Sequence, residues 1–287
     1  MIGGGALAFS QGLAACKGRV EAPGPASATP VSGAAPMTLE TAAAGDWRSP
    51  EDKARDAWRH PAQTLEFFGV HPGAEVVEFW PGAGWYTDII APYLAANGGM
   101  LYAADVDPST PAGQAMVDAY RRKLEAKPGL YGKVNITAFG PKSGPVAPAG
   151  SADVALFMRN LHDWMAGGFA EKAFHDAYQA LKPRGVLGIE QHRAAPGGVQ
   201  DVLAKDGYVM ESYVKDMAQE AGFRFDKASE INANPKDHRS YPFGVWTLPP
   251  SLRSAPPGKP PNPDFDQAKY RAIGESDRMT LRFIKPG

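Results

Sequence analysis

Cysteine is nearly absent: Cys16 is the one thiol in 287 residues. That excludes an intrachain disulfide and any metal site built from several cysteines. An excess of either charge is missing too, with 30 Lys and Arg against 31 Asp and Glu. The balance therefore gives no argument for nucleic acid or an anionic membrane as partner. No apolar run is long enough to span a bilayer, no segment repeats, and no spacing such as His-Glu-x-x-His gathers His162, His192 and His238 into a metal site. The composition, 44% hydrophobic and 21% charged, is that of a globular protein with one large domain and extensions.

The lone cysteine closes a small apolar stretch that begins Ala6-Leu7-Ala8-Phe9 and ends Leu13-Ala14-Ala15-Cys16. This resembles a bacterial lipobox, in which small residues admit a signal peptidase and the thiol takes up lipid. Residues 21–36, rich in Ala, Pro, Gly and Ser, read as a flexible tether. The basic stretch that opens a signal peptide is lacking, so a disordered tail with an incidental cysteine stands beside the lipoprotein reading. Residues 1–45 are expected to be leader and tether, and 46–287 the folded domain. A lipid anchor at Cys16 is the one expected route to a membrane and would place the domain in the cell envelope or periplasm. Without it the protein is expected in the cytoplasm.

The informative stretch is Glu75–Pro108. Val76, Val77 and Phe79 form a short apolar run suited to a buried strand. Gly82 and Gly84 follow where the chain must turn and let backbone approach a ligand closely. Tyr86, Ile89, Ile90, Tyr93 and Leu94 then recur at helical spacing, Asn97-Gly98-Gly99 ends the helix, and Leu101–Ala104 is a second strand closing at Asp105. This is a β-α-β unit with a nucleotide-type ligand at its first turn, and Asp105 lies roughly 20 residues past the glycines, where such units place an acid on a ribose diol. Dinucleotide loops want a small residue where Thr87 stands, and a diphosphate would be repelled by Glu78. Both points oppose a hydride-transfer enzyme. Tyr178-x-x-x-Lys182 matches a short-chain dehydrogenase signature but precedes the fifth strand instead of following it.

An acid, a Gly-x-Gly turn and a second acid ending the next strand resemble the class I S-adenosylmethionine-dependent methyltransferases. More narrowly, Glu78-x-x-Pro81-Gly82-x-Gly84-Trp85-Tyr86-Thr87 followed by Ala91-Pro92-Tyr93-Leu94 is similar to a group of predicted bacterial methyltransferases. The resemblance implies a doubly wound, Rossmann-like α/β fold with seven mostly parallel strands and helices on both faces. It also implies S-adenosylmethionine as cofactor, held by Glu78, Pro81, Gly82, Ala83, Gly84, Tyr86, Asp105, Phe139 and Asn160. One departure is Trp80, which stands where the family's loop has its first glycine.

Further strands are read at Val134–Phe139, Val154–Met158, Val186–Glu190, Arg224–Ala228 and Met279–Lys285, with helices at 111–126, around Phe169–Leu181 and over 207–220. Phe139 either stacks on the adenine or is core. The fourth strand ends in Arg159-Asn160-Leu161-His162-Asp163, at the edge where open α/β sheets bind ligands. His162 with Asp163 reads as a general base and its orienting partner, or as a loop histidine before a helix cap. His192, after the fifth strand, is a second base candidate, and Glu190 a weaker one. Residues 49–68 read as a lid or as core-packing helix. Residues 232–276, long and proline-rich, read as a substrate-side flap or as disordered. The function expected is methyl transfer to a small or medium acceptor. A non-catalytic, exported nucleoside-ligand binding module is the alternative, because S-adenosylmethionine is not expected outside the cytoplasm.

Overall fold

Strand runs that alternate two apolar faces pair into a seven-stranded sheet in the computed structural model, which describes residues 36–287. Cys16, the lipobox and most of the tether lie outside the described residues. The strands are β1 (Glu75–Phe79), β2 (Met100–Val106), β3 (Val134–Phe139), β4 (Ala152–Met158), β5 (Leu181–His192), β6 (Arg224–Ser229) and β7 (Arg278–Ile284). Their spatial order is β3-β2-β1-β4-β5-β7-β6. β1 to β5 run parallel, and β7 enters antiparallel between β5 and β6. The fold is the Rossmann-like α/β arrangement expected. The order reverses between β1 and β4, and the strand ends there form the crevice where such sheets bind ligands.

Because neighbouring strand residues point to opposite faces, each strand feeds two cores. Val77, Phe79, Phe157, Leu187 and Ile189 pack with α8 (Leu161–Ala166), α9 (Ala170–Ala180) and α10 (Glu211–Glu220). Val76, Leu101, Val154 and Leu156 pack with α4 (Pro61–Phe68), α5 (Thr87–Ala96) and α6 (Pro111–Glu125). Gly188 on β5 admits α4 closely, since a Cβ there would lie 2.4 Å from the Phe68 ring. The first core centres on Trp164, whose ring centroid is 4.8 Å from Phe157 and 5.2 Å from Phe139, both edge to face. Among the described residues no helix is long and apolar enough to cross a membrane.

Three boundaries differ from expectation. Folded structure begins before Asp46, because α1 (Leu39–Ala43) is capped by Thr38 in a reciprocal capping box and buries Leu39 and Ala42. Five residues are too few to display a helical period, so composition alone reads them as tether. The helix expected over 207–220 starts only at Glu211. Gly207 takes a left-handed turn (φ 83°), and Val209 pairs with the end of β5 instead. Residues 232–250 are packed, with Asn232, Asn234 and Asp237 buried and a short 3₁₀ turn at Gly244–Thr247, while residues 251–273, including α11 (Gln267–Ile273), lie exposed or half-buried before Glu275 and Ser276 are buried again. Polar side chains do this work: the Asp277 carboxylate takes Arg193 and Arg239, and Asp237 accepts the Tyr208 hydroxyl and the Asp277 N–H. Residues 49–68 split into α2 (Pro50–Ala54), α3 (Asp56–Arg59) and α4, with His60 left-handed between the last two.

Leu39→Ala is expected to lower unfolding free energy by about 2 to 3 kcal/mol, the cost of a buried leucine truncation, measured by denaturant titration. An exposed tether would show no change.

Candidate functional site

Two groups of polar residues stand at the carboxyl edge of the sheet. The first surrounds the glycine loop. Gly82 and Gly84 both take positive φ, 60° and 82°, and Gly82 and Ala83 are exposed, with open space where a Gly82 side chain would stand. Lys123 on α6 steadies the loop by donating to Ala83 O (2.8 Å) and to Asp88 (2.7 Å). Asp105, ending β2, is only 1% exposed. Its Oδ1 accepts the Val106 N–H, while its Oδ2 has no partner among the described residues. Burial pushes its pKa up, against the lowering effect of that N–H. An orphaned buried carboxylate oxygen is costly unless something donates to it.

Trp80 adopts φ 48°. Its indole N–H donates to Phe139 O (2.9 Å), and the ring packs against Phe139, Trp164 and Phe169. The bulky side chain in place of a glycine is thus taken up by the aromatic core, and Gly82 and Ala83 stay uncovered.

The second group lines a cavity of about 220 Å³ at the ends of β4 and β5, bounded by Arg59, Arg159, His162, His192, Trp246 and Glu275 among others. His162 and His192 stand edge to face with ring centroids 5.3 Å apart. Gln191 fixes the first ring. Its Nε2 must face Gly207 O (3.0 Å), so its other hydrogen points at His162 Nδ1 (3.2 Å). A neutral His162 then carries its proton on Nε2, 3.6 Å from Asp163. It is therefore a donor toward that side, not a base. His192 bonds Ser276 Oγ through Nδ1. Its pKa is lowered well below 6.5 by burial first, then by His162, Arg159 and Arg278; burial also lowers His162, opposed by Asp163. Both rings are neutral at pH 7.

Of the residues expected at the site, His162, Asp163 and His192 share this cavity, and Gly82 and Ala83 form the exposed loop. Asn160 lies between, lining the cavity while its amide donates to Phe79 O (3.1 Å) and Trp80 O (2.9 Å). It braces the loop. Four others are spent on the protein itself. Phe139 is wholly buried among aromatic rings and cannot stack on a ligand. Tyr86 is buried with its hydroxyl on Glu190 (2.8 Å). Pro81 is buried, and Glu78 accepts the Thr87 hydroxyl (2.7 Å) beneath the loop. His238 lies tilted against Tyr241, ring centroids 4.2 Å apart, and is not among the cavity residues. Among the described residues no group of three or more His, Cys, Asp or Glu is placed to hold a metal ion.

The sequence does not single out Arg59, Trp246, Glu275 and Ser276 as site residues, although they come from the segments that read as a lid (49–68) or a substrate-side flap (232–276), and both segments do line the cavity. Arg159 opens the polar stretch at the ligand edge of the fourth strand, where the sequence assigns it no role; in the structure it is a non-glycine residue at φ 65° just past a central strand, and such backbone conformations gather at functional sites.

Glu78 supplies a pH test. Burial raises its pKa to about 7, with Thr87 opposing and Asp88 assisting. Folding therefore takes up a proton at this group, so its contribution is fullest below pH 4.5 and is lost as pH rises through 7. Between pH 5 and pH 8 the wild type is expected to lose about 2 to 3 kcal/mol more stability than Glu78→Gln, read by denaturant unfolding. Parallel profiles would show an ordinary carboxylate.

Neither a protein-family model nor a curated protein sequence matches the chain. Solved structures do. A SAM-dependent methyltransferase from Aquifex aeolicus is similar at 17% identity over 87% of this chain and 99% of that one, with a TM-score of 0.53. The [4+2]-cyclase SpnF is similar at 16% identity over 86% of this chain and 92% of that one, with a TM-score of 0.56. The chain shares its fold with S-adenosylmethionine-dependent methyltransferases, and that fold also carries other chemistry.

Proposed function

We propose that the protein transfers a methyl group from S-adenosylmethionine to a small acceptor seated in the cavity at the ends of β4 and β5. The observation that carries this is Asp105 Oδ2, a buried acceptor without a partner among the described residues, at the end of β2 in a fold shared with a solved SAM-dependent methyltransferase. The residues present fit the cofactor. Asp105 would accept from the ribose hydroxyls, and the uncovered backbone of Gly82 and Ala83 would face the rest of the molecule. The cofactor supplies an electrophilic methyl on a sulfonium.

This chain's part is to orient and to move a proton. Asn160 fixes the loop to the end of β4, so the two halves of the site keep one geometry. Holding reactants in register is worth roughly 7–11 kcal/mol of barrier. His192, neutral and lining the cavity, takes the acceptor's proton. His162, with its proton on Nε2, donates to the acceptor and holds it.

Calorimetric titration of the full chain with S-adenosylmethionine, S-adenosylhomocysteine and NAD tests the cofactor. Micromolar binding of the first two, weakened at least tenfold in Asp105→Asn, is expected. No heat from folded protein would sink the reading, and binding without turnover would favour a ligand-binding module. With an acceptor in hand, His192→Asn is expected to lower kcat by 10²–10⁴, the usual worth of a general base, and His162→Asn by less. Because His192 protonates only well below pH 6.5, the wild-type rate should be flat from pH 6.5 to 8 and fall on the acid side. A rise through pH 7 would point to another base.

A further inference from the structure

The cavity's charge goes beyond what methyl transfer requires. Around it four guanidinium groups meet two buried carboxylates, and of these Arg59, Arg159 and Glu275 line the cavity itself. Glu275, 4% exposed, takes Arg55 and Arg59 (each 2.9 Å) and Arg278 (2.8 Å). Glu190, fully buried, takes Arg278 (3.2 Å) and Arg159 (3.4 Å). Two positive charges are left over, and the only other acid lining the cavity, Asp163, is half exposed to water. The two histidines add no negative charge.

Where the surplus sits is specific. Arg59 is 4% exposed and uses only its Nε on Glu275; its guanidinium lies over the Trp85 ring, 4.7 Å from the centroid. Arg159 uses only Nη1, on Glu190. Among the described residues the remaining guanidinium nitrogens of both have no hydrogen-bond acceptor, and both side chains line the cavity. Arg159 reaches it from a left-handed backbone, which is strained for an L residue, pinned by its N–H on Glu190 O (2.7 Å). A buried cation without full compensation is expensive, and a guanidinium with open donors is matched to a planar or tetrahedral oxyanion. Trp246 forms an apolar wall for the rest of a small molecule, its ring faced by Arg253 at 4.9 Å.

We propose that this cavity binds the carboxylate or phosphate group of a small organic anion between Arg159 and Arg59. On the methyltransferase reading, the acceptor is therefore an anionic small molecule, with its nucleophilic atom turned toward His192.

Benzoate, phenyl phosphate and neutral benzamide, titrated into the full chain by tryptophan fluorescence with and without saturating S-adenosylhomocysteine, test this. One or both anions should bind at least tenfold more tightly than benzamide, and which one does identifies the head group. Binding should persist with S-adenosylhomocysteine present. Arg159→Gln should lose at least tenfold in anion affinity while still unfolding cooperatively, and Arg159→Lys should recover part of it. Should Arg159→Gln not fold, the anion-against-benzamide comparison on the native chain decides. Equal binding of benzamide, an unaffected Arg159→Gln, or displacement of the anion by S-adenosylhomocysteine, whose own carboxylate would then be the occupant, overturns the proposal. A chain that binds the anions but not S-adenosylhomocysteine would sink the methyltransferase reading and leave the anion site standing.

Discussion

The structure depends on one buried carboxylate. Glu190 sits on β5 with no exposed surface, and an ion so placed costs several kcal/mol unless its partners are close and well aimed. Three are. Tyr86 comes from the start of α5, Arg159 from the end of β4, and Arg278 from the start of β7. Each lies on a separate stretch of chain, so neutralising Glu190 sets the glycine loop, the β4 terminus and the last strand relative to one another. Arg278 continues the chain of charges to Glu275, and Glu275 to Arg55 and Arg59 on the N-terminal helices. The carboxyl edge of the sheet is thus organised by electrostatics. The faces below it are organised by apolar packing.

This division explains how the two halves of the site can be chemically different and still act together. The loop half offers backbone and one orphaned acid, Asp105, and is neutral to mildly acidic. The cavity half is cationic. Asn160 belongs to both: it lines the cavity, and its amide ties down the two carbonyls that end β1. A change on either side reaches the other through that amide or through Tyr86 and Glu190.

The sequence was most legible where packing dictates pattern. Val76, Val77 and Phe79, or Val154 to Met158, can only be buried strand, and their order gives the sheet. The positions of Gly82, Gly84 and Asp105 followed from the β-α-β unit. Legibility failed where side-chain partnership decides the outcome. Phe139 and Tyr86 stand at the expected address, but Trp80 and Glu190 claim them. Residues 232–276 resemble a disordered segment in composition, because what holds them is not apolar area but Asn232, Asn234, Asp237 and Asp277 bonded in pairs that no periodicity announces. The short α1 was invisible for want of length. The pairings of Arg59 and Arg159 were not legible because their acids lie 216 and 31 residues away in sequence.

The insertion of β7 between β5 and β6 has a consequence for biogenesis. While residues up to 277 emerge from a ribosome, β5 presents an unpaired edge, and Glu190 lacks its Arg278 partner. Open edges of this kind invite pairing with other chains, and large domains pass through such incomplete states as they are made. Final closure waits for a strand that is translated after every other strand of the sheet, so the nascent chain must remain soluble through the synthesis of the whole proline-rich 232–276 segment. That segment, which contributes no strand to the sheet, is itself ill suited to pairing with the open edge in the wrong register.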